Sequence, residues 1–279
     1  MTTDSATSGP RFRLNPKHLI IFLITLILVL GELRYSILGG YERLVATLGS
    51  CLATEALLAR MLGDRKPSYS SAYISGISLA LLIKPQAGLL WPFWLGGILS
   101  IGSKYVLRVH GRHLWNPSNF GIGVLVILAS GSVAILSHQW GNELATNLVI
   151  WTLGLVIAGR ARVLHVTLSY LGAFLALAGL RTLLTGAPLL AEIAPVTGPM
   201  YQLFIFFMIT DPRTTVGTRG GRIAVAVIVA VVEALIRLAG DAGIGFLTPL
   251  YYSPPIMALF IVGPIAMWWD LRRRARATA

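Results

Sequence analysis

Phe206-Phe207-Met208-Ile209-Thr210-Asp211-Pro212-Arg213-Thr214-Thr215 is an apolar run that stops on an acid and a proline. Proline clashes with the carbonyl four residues back and turns the residue before it away from helix. The helix is therefore expected to end here, with Asp211 at its rim. Much earlier the chain repeats the device in Leu79-Ala80-Leu81-Leu82-Ile83-Lys84-Pro85. Two short apolar segments, each closed by a charged residue and a proline, lie in the two halves of one chain.

The chain has 279 residues, of which 55% are hydrophobic and 12% charged. A soluble domain carries about 25% charged residues. Mean hydropathy is +0.73, and so much apolar surface needs a lipid bilayer to cover it. The expected class is an all-α polytopic membrane protein in the cell's inner (plasma) membrane. The net charge of +12 would suggest nucleic acid in a soluble protein. Here it is accounted for by basic loops kept on the cytoplasmic side, and no nucleic-acid partner is expected. A single cysteine, Cys51, leaves no disulfide framework or cysteine-ligated cluster within the chain. Residues 1–16 read as a disordered cytoplasmic tail without a cleavable signal.

About ten apolar segments follow one another, near residues 18–36, 42–61, 68–83, 88–107, 115–136, 144–158, 163–184, 197–209, 223–238 and 249–269. With both termini cytoplasmic, the basic loops after the second, fourth, sixth and eighth spans fall inside, and Lys84 is the notable outside exception. Residues 271–279 form a basic cytoplasmic tail. Ten spans divide into two five-helix units, 17–136 and 144–270, of opposite orientation. The third span of each is short and ends in Lys84-Pro85 or Asp211-Pro212. The fifth opens on a proline motif, Asn116-Pro117-Ser118-Asn119 or Ser253-Pro254-Pro255. Short, proline-interrupted segments at matching positions are the sequence sign of inverted repeats whose broken helices meet at a binding site near the midplane.

Several polar residues stand out against this apolar background. Asp211 suits coordination of a cation or of a ligand's donors, and equally a cap or a pair with Arg213 or Arg219. The stretch from Gly111 to Gly121 is the densest polar cluster, with Trp115 and Phe120 flanking Asn116 and Asn119 as a planar ligand would need. Ionisable residues inside spans are functional candidates. Glu32 and Glu233 have Arg34 and Arg237 nearby and read as interfacial pairs. Glu55 is the better proton or ion candidate, with Arg60 as its nearest partner in sequence. His110 and His113 are a weak metal pair, and no phosphate loop, dinucleotide fingerprint or zinc-protease helix occurs.

The run Phe207-Met208-Ile209-Thr210-Asp211-Pro212 and the motif Asn116-Pro117 together resemble the NqrB/RnfD family, membrane subunits of sodium-pumping NADH:quinone reductases and Rnf complexes. Trp115-Asn116-Pro117-Ser118-Asn119-Phe120-Gly121 looks most like short stand-alone relatives found beside enediyne biosynthesis genes. The resemblance implies a flavin-bearing subunit (flavin mononucleotide or riboflavin), or one binding quinone, with redox steps linked to ion movement. It also implies partner subunits of a redox or biosynthetic complex. Carried onto this chain, the cofactor-binding residues are Asn116, Pro117, Ser118, Asn119, Thr210, Asp211, Pro212, Arg213 and Lys84, and the ion-pathway candidates are Glu55 and Asp211. Family members attach flavin to a threonine in the loop between spans seven and eight. The loop here reads Thr185-Gly186-Ala187-Pro188-Leu189-Leu190, without that threonine, so covalent attachment is not expected. A cofactor-free solute or ion transporter of the same architecture is the alternative, and a scaffold for a partner is a third.

Overall fold

The computed structural model describes residues 16–62, 66–85, 88–130, 133–134 and 143–278. The first half contains α1 (Pro16–Tyr35), α2 (Tyr41–Met61), α3 (Tyr69–Leu82), α4 (Trp91–Val106) and α5 (Pro117–Leu128). Two-residue strands join them: β1 (Lys84–Pro85), β2 (Arg108–Val109), β3 (Arg112–His113) and β4 (Val133–Ala134). The second half contains α6 (Leu144–Arg160), α7 (Leu164–Thr185), α8 (Leu189–Ile193), α9 (Pro199–Leu203), α10 (Arg219–Asp241), α11 (Thr248–Tyr251) and α12 (Pro254–Thr278). The chain is thus all-α in class. Among the described residues four helices, α2, α7, α10 and α12, are long and apolar enough to cross a membrane.

Local chemistry accounts for several of these boundaries. Asn116 caps α5 by accepting the Asn119 backbone N–H at 3.1 Å, and Pro117 follows at the first helical position, where its missing N–H costs nothing. Thr218 caps α10 by accepting from Gly221. Gly186 ends α7 at φ 74°, a left-handed conformation that suits glycine. Between β2 and β3, His110 and Gly111 both have positive φ (48° and 76°), as a tight two-residue hairpin turn demands. Glu42 opens α2 and Arg60 closes it, each with the sign that suits the helix dipole.

Packing within each half follows one order. In the first, α2 lies against α3 and α4, and α4 against α5; in the second, α7 lies against α10, and α10 against α12. The halves meet where α5 packs on α12 and α1 on α6. Polar ties mark one end of the molecule: Arg34 lies 3.7 Å from Glu143, and Arg181 holds Glu192 at 2.6 Å and Asp241 at 3.1 Å. The outward faces are apolar, with Leu33, Val45, Leu183 and Ile265 exposed. Charge has moved inward instead, because Glu55, Lys104 and Glu233 are buried. Soluble chains arrange the two the other way round.

Some segment boundaries differ from expectation. The 115–136 segment is not one helix: α5 stops at Leu128, and Val133–Ala134 pairs antiparallel with Pro85 and Lys84. The backbone freed at the Lys84-Pro85 break finds its partners there. The 197–209 segment consists of a 3-10 turn at Ala194–Thr197, then α9, then a π turn at Phe204–Met208. The 249–269 segment is split at Ser253, ahead of the Pro254-Pro255 pair. The basic tail expected over 271–279 is helical through Thr278, where α12 ends, and its last residue lies outside the described residues. The disordered tail expected over 1–16 lies outside the described residues except for Pro16, which opens α1.

Candidate functional site

The π turn carries the first motif. Ile209 N–H reaches five residues back to the Phe204 carbonyl at 3.0 Å, widening the helix just before its end. Such single turns occur often at functional sites. Thr210 Oγ1 then donates to the Phe206 carbonyl at 2.5 Å, and Pro212, with no N–H to give, prevents another turn. The chain leaves the helix at Asp211. Its Oδ1 accepts the Arg213 backbone N–H at 3.0 Å, and its Oδ2 accepts from Thr214 Oγ1 at 3.1 Å.

The second motif meets the first directly. Asn116 Nδ2 donates to Asp211 Oδ2 at 3.1 Å across 95 residues of sequence. The β2–β3 hairpin adds Arg112, whose guanidinium donates to the Pro212 and Arg213 carbonyls at 3.4 and 3.3 Å. Two proline-broken helix ends from the two halves are therefore joined side chain to side chain.

Above this junction is a cavity of about 390 Å³, within the size range of small-molecule pockets. Asn116, Pro117, Ser118, Thr210, Asp211, Pro212 and Arg213 all line it. Most of its wall is apolar and comes from α1, α3 and the π turn, including Ile20, Ile24, Leu81, Phe206 and Phe207. Its polar additions are Ser71, Ser75 and Ser78 on one edge of α3, together with Lys104 and His113. None of the five was assigned to this site from the sequence, where His113 was named only as half of a weak metal pair. Lys104 was legible, being a lone lysine within an apolar span. The α3 serines show themselves only once the helix has been placed.

Other expected site residues lie elsewhere or do other work. Asn119 is buried and off the cavity wall; its Nδ2 donates to the Ile256 carbonyl at 2.9 Å and so ties α5 to α12. Lys84 is in β1, paired with Ala134, and does not line the cavity. Trp115 and Phe120 do not flank an open slot. Both rings contact Phe260, at 6.0 and 5.9 Å between centroids, and Trp115 Nε1 donates to the Phe260 carbonyl at 2.9 Å.

Glu55 is paired with Lys104 rather than with Arg60. Lys104 Nζ is 2.8 Å from Glu55 Oε2, and the two side chains are only 6% and 3% exposed. Ser68 N–H and Tyr105 OH donate to the other oxygen at 2.8 and 2.9 Å. This carboxylate is saturated with donors, as a buried charge must be. Glu233 does pair with Arg237, at 3.0 Å, but in the interior: it is 1% exposed and also accepts from Tyr170 OH. Glu32 accepts the Leu38 backbone N–H at 2.9 Å, and the carboxylate beside Arg34 is that of Glu143. Among the described residues no group of three or more metal-ligating side chains converges.

The loop after α7 is closed on itself. Thr185 Oγ1 donates to the Arg181 carbonyl at 2.8 Å and accepts from Ala187 N–H at 3.2 Å. Thr185 lies at the far end of α7 from Val163, the cavity-wall residue just before that helix. At 1.5 Å per residue the two are about 30 Å apart along it. Thr185 therefore serves the helix end and not the cavity.

A scan against protein-family models and a search of curated proteins both return no match for this chain.

Proposed function

We propose that the chain is a membrane-embedded redox subunit of the NqrB/RnfD type, holding a flavin or a quinone noncovalently in the cavity between two inverted five-helix repeats. One observation carries this reading. The two motifs that bear the family resemblance line the same cavity and are hydrogen-bonded to each other through Asn116 and Asp211. The matching packing orders, α2–α4–α5 and α7–α10–α12, support the repeat. Ten spans are then reached by counting the short and broken helices, which do not cross alone but do so when packed in protein.

The residues suit such a cofactor. An apolar body would lie against Phe206, Phe207 and Ile24, and a polar head would meet Asn116 and the α3 serines. Arg213, exposed at the rim and with no ion pair to its guanidinium among the described residues, is the group for a phosphate or a carbonyl. Asp211 already accepts three donors, so its part is to position Asn116 and Arg213 rather than to hold a free cation. A flavin or quinone bound there would supply electron transfer; the protein supplies the slot, the polar rim and the dry wall. Partner subunits of an electron-transport or biosynthetic complex would provide donor and acceptor.

An absorption spectrum of the detergent-purified protein, taken before and after acid precipitation, tests the reading. Flavin or quinone bands released into the supernatant are expected. Bands that stay with the pellet would overturn the noncovalent assignment. A colourless protein that fails to bind added riboflavin, flavin mononucleotide or ubiquinone would overturn the redox role itself. The self-bonded Thr185 loop favours a second reading, a cofactor-free solute or ion transporter using the same cavity. Flux into liposomes by a cofactor-free preparation would identify it.

A further inference from the structure

The turn between α6 and α7 and the start of α10 enclose a second concavity, of about 560 Å³. Arg162, His165, Leu168, Arg219 and Arg222 line it. Arg162 makes the turn itself, with left-handed backbone at φ 57°. Arg222 is braced by its Nε, which donates to the Val216 carbonyl at 3.0 Å.

Among the described residues the charges here have no carboxylate partner. Arg181, Arg237 and Arg274 each have a carboxylate within 3.1 Å, whereas among the described residues none lies within 4 Å of Arg162, Arg219 or Arg222. His165 Nε2 is buried without a hydrogen-bond partner among them. Arg219 and Arg222 also stand in the first turn of the 23-residue α10, where the helix dipole disfavours cations. Three guanidinium groups and the positive end of a long helix repel one another, and an anion among them would relieve that repulsion. The remaining wall is apolar and open: Leu168, one turn beyond Leu164 on α7, is 54% exposed.

We infer that this concavity binds the phosphate of an anionic phospholipid of the inner leaflet, with an acyl chain lying along Leu164 and Leu168. A basic pocket at the cytoplasmic end of membrane helices is suited to such headgroups. The apolar wall continuing from the basic one favours a lipid over a free anion. The inference rests on the bilayer reading and is independent of any cofactor in the other cavity.

The test is native mass spectrometry of the detergent-purified full chain, titrated with dioleoyl-phosphatidylglycerol. Dioleoyl-phosphatidylcholine and inorganic phosphate serve as counterparts. Phosphatidylglycerol should be retained well above phosphatidylcholine. An Arg219→Gln/Arg222→Gln variant should bind it about 30-fold more weakly, from the usual contribution of each basic residue near an anionic lipid. An Arg272→Gln/Arg273→Gln variant, at the same end but off the pocket, should bind as the parent does. Equal losses in the two double variants would mean a diffuse basic surface and overturn the site. Equal retention of phosphatidylcholine would do the same, and displacement of the lipid by inorganic phosphate would make this a free-anion site. If the Arg219→Gln/Arg222→Gln protein elutes as aggregate, Arg162→Gln alone carries the test, with about a fivefold loss expected and parental affinity overturning the proposal.

Discussion

Asp211 accepts from Asn116 Nδ2, Thr214 Oγ1 and the Arg213 backbone, three donors from two halves of the chain. Replacing it with asparagine leaves one acceptor oxygen and turns an NH2 group toward those donors. Asp211→Asn should insert normally but lose about 1–3 kcal/mol of stability, the cost of leaving partly buried polar groups unpaired, and its affinity for the proposed flavin or quinone should fall. A double-mutant cycle of Asp211→Ala and Asn116→Ala, read by thermal unfolding in detergent, should show coupling of about 0.5–3 kcal/mol. Additive losses would mean that the bond between the motifs does not hold them together. Glu55 and Lys104 make a sharper contrast. Removing one member strands the other charge in the interior, at about 3–5 kcal/mol, whereas replacing both with apolar groups is often tolerated. Glu55→Gln should therefore lower the unfolding temperature more than Glu55→Met/Lys104→Met does. The opposite order would show that the pair stabilises the fold in its own right. Sequence alone pointed Glu55 toward Arg60, because the eye follows helix spacing. Lys104, 49 residues on, becomes its partner only when α2 and α4 pack.

Among the helices, those that break at proline were the legible ones. Pro85, Pro117, Pro212 and Pro254 all sit where a helix starts or stops, since the lost N–H and the ring clash act locally. The π turn at Phe204–Met208 was not legible, because it depends on what the segment packs against. One such neighbour is Gly154 on α6, where an added Cβ would stand 2.3 Å from Phe206 Cδ2. Trp151, one turn earlier, meets the same ring edge-on at 5.0 Å. Phe206 also forms cavity wall, so Gly154→Ala should push the π turn outward, cost about 1–3 kcal/mol by overpacking and weaken ligand binding. Gly172→Ala on α7 is the control. No atom lies within 4 Å of its would-be Cβ, and the gain in helix propensity should leave stability unchanged or raise it by up to about 1 kcal/mol. If both variants behave alike, α6 does not press on the π turn. The aromatic contacts of Trp115, Phe120 and Phe260 belong to the same lesson. A polar stretch flanked by rings looked like a ligand clamp, yet the third ring, on α12, closes it into a brace between the halves.

Across the whole molecule the charges are sorted by end. The α2 terminus, the β2–β3 hairpin, the α6–α7 turn, the start of α10 and the end of α12 bring together Arg60, Arg112, Arg162, Arg219, Arg222 and Arg273. The opposite end carries Glu32, Glu143, Glu192 and Asp241, with Arg34 and Arg181 held in ion pairs there. Such asymmetry orients a polytopic chain with its basic end in the cytoplasm. Residue-by-residue charge made this end-to-end sorting legible before any helix was placed; the number of crossings was not, because several helices are too short to span alone. Cysteine labelling measures orientation directly, and the chain is well suited to it. Its one cysteine, Cys51, is fully buried and should stay silent. Leu190, in α8, is 77% exposed at the acidic end, and Arg273 is exposed at the basic one. A membrane-impermeant maleimide added to intact spheroplasts should label Leu190→Cys and leave Arg273→Cys unlabelled until the membrane is permeabilised. The reverse pattern would invert the molecule and put the Arg213 rim of the cavity outside. Labelling of both sites from outside would require an even number of crossings between them, where the proposed five-plus-five arrangement has three, and would overturn that arrangement.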